Sequence, residues 1–266
     1  MRSVSSRRGS EPVSEAYKKS AGRDLFESLV ITVILTIFGT TFVVQAFKIP
    51  TGSMENTLLV GDHLLVNKFV FAEPQGFWKR FLPYRPVRRG DVIVFKFPGP
   101  ASEAQEPGEH FVKRVIGVPG DRIKIVDRRV FVNGKPISEP YVRETYPGQV
   151  RPGDDFPPPD SEELPGTTSR WAAELPEYVH GGQLVVPPGH YFVLGDNREE
   201  SWDSRFWGFV PRRLISGQPL FIYWSYETPH GQYLQTSFAD RLHQTLSLLV
   251  HFFTRTRWRR TFRWIH

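Results

Sequence analysis

The chain has 266 residues, with 34 Lys and Arg against 28 Asp and Glu and no cysteine. That length can hold one large domain with a sizeable core, and the missing cysteines exclude a disulfide framework, a thiolate nucleophile and a cysteine-bound zinc. The surplus positive charge sits at the two ends, residues 1–28 and 238–266, while the stretch between is close to neutral; this fits anionic lipid headgroups better than a phosphate-binding groove and argues against a nucleic-acid partner.

Taken in order, residues 1–23 are rich in Ser, Arg, Lys and Glu without apolar periodicity, so 1–27 is read as a disordered cytoplasmic tail. Ser28–Phe47 carries no charge. As a helix rising 1.5 Å per residue, such a run covers roughly 30 Å, the thickness of a bilayer core, so 28–47 is predicted to be a transmembrane helix. Lys18, Lys19 and Arg23 on its N-terminal flank orient it N-terminus inside, as a single-pass protein of the cell membrane whose later residues lie outside. Two other readings stay open. Val44-Gln45-Ala46 has the small-residue spacing of a cleaved signal peptide, and an all-apolar helix can also be buried in a core.

Beyond residue 58 the chain turns to short β-type runs bounded by turn residues: 64–71, 91–97, 110–118, 122–126, 129–132, 185–196 and 219–226. Asn133-Gly134 is a tight-turn signal. Runs this short, with no helical periods between them, predict a mainly β fold: an antiparallel catalytic core over 48–137 and 183–237. Residues 138–182 are acidic and proline-rich, which reads as an inserted cap-like subdomain or a long solvated excursion. In 238–266, Leu242, Leu246, Leu249, Val250 and Phe253 recur at helical spacing before an arginine-rich end with Trp258 and Trp264. A basic amphipathic segment of this kind suits a lipid interface or a final helix and strand on the core.

The chemistry is expected at Ser53, flanked by Gly52 and placed just after the apolar run. A serine hydroxyl is a weak nucleophile until a base takes its proton. Histidines such as His63, His110 and His190 leave a triad open, but no G-x-S-x-G elbow surrounds Ser53 and no H-E-x-x-H spacing occurs. No metal and no cofactor are expected. A lysine can serve as the base once burial brings its pKa from about 10.4 to roughly 7–8. Lys113, within His110–Val118, is a candidate for that role, and an edge-strand lysine is its ordinary alternative. Alternation turns one of Lys113 and Arg114 inward and the other outward, unless the strand is apolar on both sides.

Pro50-Thr51-Gly52-Ser53-Met54, Arg89–Phe95, Val112–Asp121 and Gly195-Asp196-Asn197-Arg198 continuing through Ser201, Asp203, Ser204 and Arg205 together resemble bacterial type I signal peptidase over about residues 28–226. The resemblance implies a serine endopeptidase that removes N-terminal signal peptides from exported preproteins after Ala-x-Ala-like sites, with lipid bilayer and preproteins as its partners. Ser53 would be the nucleophile and Lys113 the neutral general base. Thr51 and the Ser53 N–H would form the oxyanion hole, and Ser201 would orient Lys113. Asp203 and Arg205 would form a structural ion pair, with Gly195, Asp196 and Asn197 shaping their loop. Substrate-binding positions would be Phe47, Ile49, Pro50, Met54, Leu58, Val94, Phe111 and Val112. Asn56, Glu199, Glu200 and Trp202 depart from the family's usual residues, Trp202 being bulkier than the small residue common there. The alternatives are a specialised Ser/Lys processing peptidase for a pilus or conjugation substrate, a self-cleaving LexA-like regulator, and a non-enzymatic membrane-anchored binding domain.

Overall fold

The computed structural model describes residues 21–40, 44–71, 84–100, 110–142, 146–159, 164–228 and 237–265; most of the expected cytoplasmic tail lies outside them. The chain divides into two compact units, Met1–Thr41 and Phe42–His266. The first contains helix α1 (Ala21–Phe38). Its Arg23–Glu27 pair sits one turn apart at 2.9 Å, Thr32 Oγ1 donates to Ser28 O at 2.7 Å, and its large apolar side chains, Leu25, Ile31 and Leu35 among them, are exposed.

The apolar run Ser28–Phe47 is therefore not one helix. The α-helix runs to Phe38, Gly39 and Thr40 continue in π-helical geometry, and the run ends in a strand, β1 (Val44–Lys48). Gly39, Thr40 and Thr41 are weak helix formers, and the backbone of β1 finds its partners in a neighbouring strand instead, from Val44↔Asn67 to Lys48↔His63. Among the described residues no helix is long and apolar enough to cross a membrane.

The second unit is mainly antiparallel β. Its strands after β1 are β2 (Asp62–Asn67), β3 (Val92–Lys96), β4 (His110–Gly117), β5 (Arg122–Val126), β6 (Arg129–Val132) and β7 (Lys135–Pro136). There follow α2 (Ser169–Tyr178), β8 (Val179–His180), β9 (Gln183–Val185), β10 (His190–Leu194), α3 (Ser204–Trp207), β11 (Val210–Pro211), β12 (Ile215–Ser225), α4 (Phe238–Arg255) and β13 (Arg263–Trp264). The larger sheet runs β1-β2-β12-β3-β4-β10-β11, with β13 also paired to β12, and the smaller runs β7-β6-β5-β9-β8. Burial follows the period of two: in β2, Asp62, Leu64 and Val66 point inward while the residues between are half-buried. In β3 both faces are covered. Ile93 and Phe95 pack with Val115, Val193 and Trp207, whereas Val92 and Val94 pack with Ile49, Met54 and Leu64.

Residues 138–182 are less separate than their composition suggests. The smaller sheet begins at Arg122, and β8 from within the expected insertion pairs with β9 beyond it, Val179↔Leu184. Phe156 and Trp171 are fully buried, sharing a core with Ile116 and Phe192 of the larger sheet and Ile123 of the smaller one. The acidic residues decorate a segment whose Phe156 and Trp171 side chains are core.

The C-terminal segment is likewise tied to the body of the unit. Strand β13 pairs with β12, Phe221↔Trp264. Arg260 donates to Thr57 O at 2.9 Å and pairs with the fully buried Asp62 at 2.6 Å. Arg257 donates to Val60 O at 2.9 Å. These arginines are held by carbonyls and a carboxylate. Side chains of Leu242 and Leu249 lie outside the described residues; Leu246, Val250, Phe253, Trp258 and Trp264 are exposed.

Candidate active site

Ser53 stands on a tight loop held at both ends. On one side Ile49 N donates to Asp62 O and Gly61 N donates to Ile49 O, at 2.8 and 2.9 Å. On the other, Leu58 N donates to Met54 O at 2.8 Å, and the side chains of Met54 and Leu58 are sunk in the core. The loop is also pinned to the turn after β10: Asn197 N donates to Ser53 O at 3.1 Å, and Asn197 Nδ2 to Gly52 O at 3.3 Å. The backbone, rather than Ser53's own side chain, fixes where its hydroxyl points.

Lys113 reaches that hydroxyl from β4, where it lies opposite Ile93 of β3. Its Nζ is 2.6 Å from Ser53 Oγ and 3.1 Å from Ser201 Oγ. The side chain is 3% exposed. Burial lowers its pKa from 10.5 to about 8; the Asp203 charge pulls it back up, Arg205 pushes it down, and Asp196 raises it slightly. An ammonium stripped of water is disfavoured against the neutral amine, which is the form able to accept a proton.

Behind Lys113 lies a closed polar shell. Asp203 accepts from Arg205 Nε at 2.9 Å and Nη2 at 3.0 Å, and it caps α3 by accepting from Arg205 N. Its second oxygen takes Gly195 N at 3.1 Å. Burial alone would raise the Asp203 pKa, but the charge and hydrogen bonds of Arg205, helped by Lys113 and Ser201, outweigh it and hold the carboxyl below its ordinary value. Gly195 sits where a Cβ would come within 2.2 Å of Ser201 Oγ and 2.4 Å of Ser53 O. Only a residue without a side chain lets these two segments approach so closely.

In front of the pair opens a cleft of about 230 Å³ whose walls include Phe47–Thr51 on one side and His110–Lys113 on the other. It is small beside the ~300–1,000 Å³ of typical ligand pockets, which suits short side chains. Strand β1 ends the larger sheet, and the pairing of β4 with β10 starts only at Arg114. Among the described residues, backbone on both walls is thus free for an extended chain lying between them. No group of three or more His, Asp and Glu side chains among the described residues is placed to hold a metal ion.

Residues 22–224 match the family profile described as Signal peptidase, peptidase S26. The chain belongs to the signal peptidase S26 family. It is a serine-type peptidase of the type I signal peptidase kind, and the reading as a non-enzymatic binding domain is set aside. Relatives named Signal peptidase I include one from Pseudomonas fluorescens, 33% identical over 80% of this chain and 75% of that one. Another from Leptolyngbya laminosa is 35% identical over 74% and 77%. A third, from Bacillus caldolyticus, is 35% identical over 79% and 94%.

In this signal peptidase fold the residues singled out from sequence separate into three groups. Ser53, Lys113 and Ser201 meet in one hydrogen-bonded cluster, and Thr51 lies exposed on the cleft wall beside them. Gly195, Asn197, Asp203 and Arg205 stand directly behind. Asp196 turns elsewhere: it takes a two-pronged bond from Arg114 Nε and Nη2, both at 2.8 Å, and one from Thr57 Oγ1 at 2.5 Å. Of the expected substrate-contacting positions, Phe47, Ile49, Pro50, Met54, Phe111 and Val112 line the cleft. Leu58 and Val94 do not; both are fully buried among Leu64, Val66 and Ile222.

Sequence reasoning also missed parts of this candidate site. Arg114, expected to face solvent if Lys113 faced in, is 3% exposed; its guanidinium stacks 3.9 Å over the Tyr141 ring. Tyr141 donates to Glu139 at 3.0 Å, and Glu139 pairs with Arg198, whose Nε holds Gly195 O at 3.1 Å. Burial, reinforced by the Glu139 charge, raises the Tyr141 pKa, so this phenol stays protonated. Lys48, His110, Glu200 and Trp202 complete the lining; the departures noted at 200 and 202 were the sequence signs of this wall.

Proposed function

We propose that the chain is a membrane-bound endopeptidase that cleaves signal peptides from exported preproteins after Ala-x-Ala-like sites, with Ser53 as nucleophile and neutral Lys113 as general base. The single observation carrying this reading is the 2.6 Å separation of a buried Lys113 Nζ from Ser53 Oγ. Lys113 takes the serine proton as Oγ attacks the scissile carbonyl. The oxyanion is met by Ser53 N–H and the Thr51 hydroxyl. Lys113 then hands its proton to the leaving amine, and afterwards activates the water that releases the acyl-enzyme. Ser201 keeps the amine aimed at Oγ throughout. The ion pair of Asp203 and Arg205 fixes Ser201 and lies close enough to tune Lys113.

The substrate lies extended between β1 and the start of β4, exchanging backbone hydrogen bonds with both walls. Its small residues at the first and third positions before the bond enter the space beside Ile49, Met54 and Val112. The stretch that contains α1, up to the start of β1, anchors the chain in the cell membrane, N-terminus inside, and the exposed apolar side chains of α1 support that reading. The exposed Val250, Phe253, Trp258 and Trp264, set among arginines, rest on the same bilayer.

The test is cleavage of a preprotein by purified full-length chain in detergent. Ser53→Ala and Lys113→Met should each abolish processing while leaving the fold intact by circular dichroism. Retained cleavage by either variant would remove the proposed pair.

A further inference from the structure

One wall of the cleft takes no part in the chemistry above. Trp202 is half-buried and lines the cleft together with Ser53 and Lys113. Its ring stacks on Phe97 at 5.3 Å between centroids and 24° between planes, and meets Phe111 edge-on at 6.3 Å. Phe97 and Phe111 are themselves 5.3 Å apart. The indole Nε1 donates to Gly166 O at 3.2 Å, fixing the polar edge as well as the face. The result is a rigid apolar plane beside the reacting groups.

Which substrate residue meets that plane follows from strand alternation. Val112 and Phe111 point to opposite faces of β4: Val112 packs with Ile49 and Met54, Phe111 with Phe95, Phe97 and Trp202. A peptide added along the edge of 110–113 sends successive side chains to those same two faces. If the first and third residues before the bond enter the side of Ile49, Met54 and Val112, the residue between them faces Phe111 and Trp202.

We propose that Trp202, with Phe111, forms the contact surface for the second residue before the scissile bond, and that this chain favours aromatic or long apolar side chains there. The inference rests on Ser53 and Lys113 being the reacting pair and on an extended substrate. A ring laid on this wall gains an aromatic pair worth roughly 2- to 10-fold in kcat/KM over a residue that makes no contact.

The experiment uses the full chain and a set of signal-peptide-spanning peptides, Ala-x-Ala, with x as Phe, Leu, Ser or Gly. Wild type should cleave the Phe peptide several-fold better than the Gly peptide. In Trp202→Ala that ratio should fall to within about 2-fold, and in Trp202→Phe most of it should remain. Replacing either alanine by leucine should block cleavage by all three proteins. An unchanged ratio in Trp202→Ala, or an equal loss on every peptide, would make Trp202 scaffold and overturn the inference while leaving the peptidase reading in place. Failure of the wild type to cut any of the peptides would overturn both.

Discussion

Gly195→Ala adds one methyl group at the point where the Ser53 loop and Ser201 meet. The added carbon would stand 2.2 Å from Ser201 Oγ, 2.4 Å from Ser53 O and 2.5 Å from Ser201 Cβ. Ordinary carbon–oxygen contacts are about 3.3–3.6 Å, so the overlap is roughly 1 Å. Ser53 O is a backbone atom already bonded to Asn197 N, and cannot swing away as a flexible side chain would. Relief requires the Ser53 loop and Ser201 to retreat, lengthening the 2.6 and 3.1 Å contacts to Lys113. A displacement of about 1 Å at reacting groups costs on the order of 100-fold in rate, and overpacking costs about 1–3 kcal/mol in stability. Steady-state kinetics on a signal-peptide substrate, with a urea melt of the same preparation, should therefore find kcat/KM down about 100-fold in a protein that is still folded at 25 °C. Activity within about 3-fold of wild type would refute the reasoning, because the pair would then not be held by this packing.

Three further outcomes are expected. Thr51→Val keeps the shape and removes the hydroxyl, so kcat should fall on the order of 10²–10³-fold with KM little changed, and Thr51→Ser should recover most of it; full activity in the valine variant would take Thr51 out of the oxyanion hole. For Lys113→Met the sign runs through the depressed pKa, about 8 when folded against 10.5 ordinarily. Below pH 8 both states of the wild type bind the proton and the folded one bears the burial penalty, whereas between 8 and 10.5 only the unfolded chain keeps it, so wild-type stability rises with pH across that window. The variant should lack that rise and be up to about 3 kcal/mol more stable at pH 7; parallel stability curves would contradict this. Arg260→Ala leaves the fully buried Asp62 without its cation, which should cost about 3–5 kcal/mol in urea unfolding. A midpoint equal to wild type would mean that the C-terminal segment does not brace the loop between Ser53 and Asp62.

The strands were readable because their patterns are local. Alternation in Asp62–Asn67 and Arg122–Val126, and the left-handed Asn133 and Gly134 that turn β6 into β7, all lie within a few residues. Residues 44–47 were misplaced for the opposite reason. An uncharged apolar run reads alike as membrane helix and as strand, and only a partner found at 62–67 decides between them. Phe156 and Trp171 were hidden by an acidic neighbourhood, since their burial depends on Ile116, Ile123 and Phe192 from far along the chain. At the site, Ser53 and Lys113 stand 60 residues apart and Arg114 and Asp196 82 apart. No periodicity links such positions, so the residues offered Lys113 only as one candidate base, resemblance joined it to Ser53, and the pairing of Arg114 with Asp196 emerged only from the structure. Leu58 and Val94 were assigned to the cleft by resemblance, yet Val94 faces the core from β3 and Leu58 is sunk in it from the turn after Ser53.

The central claim is that Lys113 is the base for Ser53, and the dependence of kcat/KM on pH tests it most directly. With Lys113 titrating at about 8, the rate on a signal-peptide substrate should rise about tenfold per pH unit below that point and level off above it, as the neutral amine becomes the majority form. A break near the ordinary histidine value of about 6.5, or a rise that continues to about 10.4, would contradict the assignment.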